Sequence, residues 1–75
     1  MAYRTLKSMA RNLEFNDTSE AADYIMQSYL NGQHAQAKRL YLGLTKAERT
    51  KAVDYFRESG YDYRTMSDAV MGFYA

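Results

Sequence analysis

Apolar side chains in this 75-residue chain recur at intervals of three and four, in short stretches that stop at Gly32, Gly43 and Gly60, and no Pro occurs anywhere. That spacing stacks side chains on one face of an α-helix, and glycine is the residue that most readily closes one. No stretch shows sustained period-two alternation with β-branched residues, and Val and Ile together number only three: Ile25, Val53 and Val70. Strands are poorly provided for. The expected fold is all-α, a compact bundle of four to five short helices forming one domain over residues 1–75. Sequential neighbours are expected to be antiparallel because the connections are short.

Five segments carry the pattern. Leu6, Met9, Ala10 and Leu13 make the inner stripe of a first helix over Tyr3 to Leu13. Phe15-Asn16-Asp17-Thr18 breaks it, and Asp17 or Thr18 is placed to cap a second helix, with Glu20 three residues after Asp17. The second stripe is Ala22, Ile25, Met26, Tyr29 and Leu30, closed by Asn31-Gly32. Gln33 to Leu42 reads as a short third helix with Ala37, Leu40 and Tyr41 inside, followed by Leu44. Thr45 and Glu48 have the spacing of a reciprocal capping box, so a fourth helix starts at Lys46. It buries Ala52, Val53 and Phe56, lays the methylenes of Arg49 along them, and ends at Ser59-Gly60. Asp62 caps a last helix with Met66, Ala69, Val70 and Phe73 inside. Gly72 costs that helix about 1 kcal/mol relative to Ala, so its final turn frays unless it packs closely on a neighbour.

The chemistry available is narrow. With no Cys, disulfides, thiolate metal sites and thiol catalysis are excluded. His34 is the single histidine, has no second ligand at metal-site spacing, and is expected in solvent at the start of the third helix. The glycines are isolated, forming neither a phosphate-cradling loop nor a dinucleotide fingerprint, and no serine stands in a Gly-x-Ser-x-Gly setting. No catalytic residue, metal or cofactor is expected. Arg4, Lys7 and Arg11 interrupt the stretch where a secretory signal would be apolar. The longest uncharged apolar run, Ala69 to Ala75, is far short of the roughly 20 residues that span a bilayer. A cytoplasmic protein without membrane contact is the expectation.

Formal charge is only +1, yet it is unevenly placed. Residues 33–51 set Lys38, Arg39, Lys46, Arg49 and Lys51 against Glu48 alone, whereas residues 18–32 and 52–75 are both net acidic. The basic segment either is a solvated face neutralised by Asp23, Asp54, Glu58 and Asp68, or meets an anionic partner such as nucleic acid or an acidic protein surface. Leu44-Thr45-x-x-Glu48-Arg49 resembles the opening of some bacterial regulator domains, whose later helix enters the major groove and presents basic or amide side chains. Here that helix, Arg64 to Tyr74, carries one Arg, one Asp and a mostly apolar remainder, a poor composition for phosphate contact.

Tyrosine is out of proportion: eight residues, at 3, 24, 29, 41, 55, 61, 63 and 74, alongside five Met. Tyr29 and Tyr41 fall on inner stripes, whereas Tyr24, Tyr55, Tyr61 and Tyr63 fall off them or before the last helix and are expected to be partly exposed. Tyrosine, Met and Arg are enriched in interface cores, because a phenol offers large contact area at little rotamer entropy. The tyrosines either rim a small core with their hydroxyls in water or form a recognition surface around Tyr55, Tyr61, Tyr63 and Arg64, extended by Arg57.

Ala22-Asp23-Tyr24-Ile25-Met26 through Asn31-Gly32, Ala35-x-Ala37-Lys38-Arg39, Leu44-Thr45-Lys46-Ala47-Glu48-Arg49 and Tyr55-Phe56-Arg57-Glu58-Ser59-Gly60 together resemble small helical accessory proteins encoded by bacteriophages. The resemblance spans about half the chain and lies in helix punctuation, so it implies a class and transfers no functional residue. Such proteins bind and inhibit or redirect a larger host or defence protein. The expected function is thus a non-enzymatic protein-binding module anchored by Tyr55, Arg57, Tyr61, Tyr63 and Arg64. The alternative is a nucleic-acid-binding domain using Lys38, Arg39, Lys46, Arg49 and Lys51. Self-association into a homo-oligomer through the last helix is a third possibility.

Overall fold

The computed structural model describes residues 3–75; Met1 and Ala2, which the one-domain reading includes, lie outside the described residues. Five helices follow in order: α1 (Leu6–Asn12), α2 (Thr18–Leu30), α3 (His34–Gly43), α4 (Lys46–Glu58) and α5 (Tyr63–Tyr74). No strand occurs among the described residues. Helix α2 is the hub, packing on α1, α3 and α4, while α5 rests chiefly on α3 and meets α4 more sparsely.

Each N-terminus is explained by a short polar side chain, except that of α3, where Gln33 makes no capping bond. Thr5 accepts from the Ser8 amide at 3.0 Å, so α1 starts at Leu6, the first residue of the apolar stripe, and not at Tyr3. Asp17 accepts from the Glu20 amide at 3.0 Å, and Glu20 in return accepts from the Asn16 amide at 2.9 Å, one residue before the cap itself. Asp62 accepts from the amides of Arg64 and Thr65 at 2.7 and 3.0 Å, and these bonds, with that of the Thr65 hydroxyl, hold its carboxyl below the usual range.

The capping box expected at Thr45 and Glu48 is only half formed. Thr45 accepts from the Glu48 amide at 3.3 Å, but its own amide donates to the Arg4 carbonyl at 2.9 Å. Glu48 turns away to accept from the Leu6 amide at 2.8 Å, and its other oxygen pairs with Lys51 at 3.1 Å. A side chain 42 residues distant thereby satisfies an orphan amide in the first turn of α1. The Leu6 bond chiefly, with Lys51 assisting, holds the Glu48 carboxyl below its usual range.

Two helix ends use glycine as its sequence position suggests. Gly32 and Gly60 both adopt φ near +87°, the left-handed conformation that closes α2 and α4. Gly43 does not: it is the last residue of α3, and Leu44 beyond it is extended. Glu14 takes the same left-handed role after α1 at φ +61°, a position that composition does not flag. The Phe15 amide donates to the Ala10 carbonyl at 2.8 Å there, and Phe15 then packs on the core.

The core holds Leu6, Met9, Ile25, Met26, Leu44, Phe56 and Phe73 with essentially no exposure. Small residues, Ala21, Ala22, Ala37, Ala52 and Ala69, are also fully buried and let the helices approach closely. Two residues assigned to inner stripes lie outside: Leu13 is 36% exposed and Leu30 48%. Leu13 caps the C-terminus of α1 and Leu30 is the last residue of α2, so each stands at the end of its stripe. Val53 and Val70 are half-buried, and Ser28 is buried in a place the apolar spacing did not mark, accepting from Gln36 at 3.3 Å.

Candidate functional site

The tyrosines expected at the surface divide into two groups. Tyr24, Tyr55 and Tyr61 are partly exposed, but their hydroxyls are bound within the fold rather than offered outward. Tyr55 shares a 2.6 Å hydrogen bond with the Thr18 hydroxyl, joining α4 to the start of α2. The Tyr61 hydroxyl donates to Asp23 and accepts from Gln27 at 2.8 Å, and burial followed by the Asp23 carboxylate pushes its pKa up. Tyr24 accepts from Gln36 at 2.8 Å. Tyr63, by contrast, is 79% exposed, and Arg57 and Arg64 are exposed as well.

The basic residues of the 38–51 segment do not form one track. Lys38 donates to the Ala75 carbonyl at 2.7 Å, and Lys51 pairs with Glu48. Arg39 lies beside Tyr3, Leu13 and Tyr24 on another side of α3. Arg49 is half-buried, donating to the carbonyls of Leu44 and Leu42 at 3.1 and 2.7 Å, so it closes the end of α3. Its guanidinium also lies 6.0 Å from the Tyr41 ring centre and 5.8 Å from that of Tyr74.

Sparse packing between α4 and α5 leaves a concavity of about 290 Å³ at the end of α5. Its walls are Lys46, Arg49, Thr50, Val53, Asp54 and Arg57 from α4, with Tyr41 and Tyr74 opposite. The Tyr74 hydroxyl donates to that of Tyr41 at 3.3 Å. Burial raises the Tyr41 pKa, while the Tyr41 bond, then Arg49 and Lys46, lower that of Tyr74.

Next to this notch, α5 carries a second, largely apolar flank, whose Val70 still packs against the core. Tyr63, Ser67, Val70, Met71 and Tyr74 follow one another by four, three, one and three residues, which sets them along one side of the helix. Met71 is 71% exposed and Tyr74 57%. Neither was marked by the sequence as a contact residue, although the spacing that defines the buried stripe of α5 also defines this second one. An apolar strip over two stripes is wider than one neighbour covers, and that width was the available signal.

Elsewhere the described residues hold no cluster of three His, Cys, Asp or Glu suited to a metal, and no helix long and apolar enough to cross a membrane. His34 is exposed at the first position of α3, stacked on Tyr29 with ring centres 4.5 Å apart. No protein-family model, curated protein or solved structure matches the chain.

Proposed function

We propose that this chain is a non-enzymatic protein-binding module that docks on a larger host or defence protein and inhibits or redirects it. The observation that carries this reading is the flank of α5, where Tyr63, Met71 and Tyr74 stand more than half exposed on one side of a helix. Isolated apolar residues are ordinary on a surface; two tyrosines and a methionine aligned on one helix match the residue types that dominate interface cores. Arg57, which lines the notch with Tyr74, and Arg64, which follows Tyr63 in α5, are exposed and supply a polar rim. Tyr55 and Tyr61 then act one step back, fixing α4 and the approach to α5 against α2.

Affinity capture from host-cell lysate, read by mass spectrometry, tests the proposal. The wild-type chain should retain one specific larger protein, and Tyr63→Ala and Met71→Ala should each lose it while keeping the helical circular-dichroism spectrum. Undiminished capture by both variants would remove α5 as the docking face.

A further inference from the structure

We propose that the notch between α4 and the end of α5 is an anion-binding pocket whose occupant is a carboxylate-rich segment of the partner protein. This rests on the docking reading above and adds the chemistry of the partner. Arg49 carries the inference. It is half-buried, and its hydrogen bonds run to the neutral carbonyls of Leu42 and Leu44, which use its donors without balancing its charge. Among the described residues no carboxylate pairs with it. A partly desolvated cation without a counter-charge is unfavourable, and the faces of Tyr41 and Tyr74 offset only part of that.

The surroundings add to the imbalance. Lys46 and Arg57 line the same notch, so three cations face one carboxylate, Asp54, which Arg57 already approaches at 3.7 Å. Acidic side chains are plentiful elsewhere, yet the fold gathers like charges into one concavity. Mutual repulsion of this kind is relieved by an anion entering from outside.

The neighbouring surface selects protein over nucleic acid. A nucleic-acid backbone calls for successive cations along a path, but Lys38, Arg39 and Lys51 are bound or placed elsewhere. One cationic notch beside an apolar helix flank suits an amphipathic segment with acidic and apolar sides.

Hexaglutamate at low salt is the probe, titrated against the isotopically labelled protein by NMR, with inorganic phosphate and a single-stranded oligonucleotide in parallel. It should shift the Arg49 side-chain signal and the amides of Thr50, Val53 and Tyr74 saturably. The Lys46→Ala, Arg57→Ala double variant should weaken it about tenfold, since both side chains are exposed and their loss leaves the fold intact. Absence of saturable shifts, or equal affinity in the double variant, overturns the proposal. Tighter binding of the oligonucleotide overturns the choice of partner, and phosphate binding as tightly as hexaglutamate reduces the notch to a small-ion site. Hexaglutamate has no apolar side chain and reads the notch alone. If it fails while capture still depends on Tyr63 and Met71, the docking reading stands and this inference falls.

Discussion

At the scale of single residues, the phenols divide by where their hydroxyls go. Tyr61 connects to both Asp23 and Gln27, so Tyr61→Phe should cost about 1 kcal/mol in urea denaturation, whereas Tyr63→Phe should change stability by less than about 0.5 kcal/mol. Sequence reasoning put both tyrosines in one surface because both lie off the apolar stripes. It had no means of seeing that α2 presents a carboxylate and an amide to one of them from more than thirty residues away. Glu48 repeats the lesson, since its spacing from Thr45 suggests a local partner and its carboxylate goes to Leu6. Its lowered folded pKa means that its stabilisation is complete above the ordinary value of 4.5 and is lost as pH falls through the depressed one. Wild-type stability should therefore decline in acid below that value. Glu48→Gln, weaker by about 1–2 kcal/mol at neutral pH, should show a flatter acid limb in denaturation curves collected across pH.

At the scale of helices, most boundaries that one residue's chemistry sets were legible, the Thr5 cap of α1 being the exception. Asp17, Thr45 and Asp62 start helices and Gly32 and Gly60 end them because short acceptors and left-handed backbone belong to few residue types. The end of α1 was hidden because Glu14 does the work of a glycine. The two kinds of glycine predict opposite outcomes for the same substitution. Gly32→Ala forces a Cβ onto a φ of +87° and should destabilise by about 1 kcal/mol. Gly72 lies inside α5 with nothing within 4 Å of where a Cβ would stand, so Gly72→Ala should stabilise by about 0.5–1 kcal/mol. Paired thermal melts of the two variants would check the sign of each. Close packing is thus not what retains glycine at position 72.

At the scale of the whole molecule, α2 is buried by three partners whereas α5 is held mainly by one, which separates a well-packed centre from a sparsely held edge. The core was readable in outline from periodicity, but the width of its stripes was not, because Leu13, Leu30 and the outer side of α5 differ from core positions only in what stands opposite them. That separation has a thermodynamic consequence. A chain of this length has a total stability of about 4–11 kcal/mol, and removing a fully buried aromatic side chain costs about 3–5 kcal/mol. Phe56 is such a residue, packed where α4 meets the core, so Phe56→Ala should lower the melting temperature by roughly 15–30 °C. Met71 has as apolar a side chain but stands in water, and Met71→Ala should leave the melting temperature within about 3 °C of wild type. Differential scanning calorimetry of the two variants checks both values. A large loss at position 71 would mean that the α5 flank is needed by the fold itself, and the case for an outside partner on that surface would go with it.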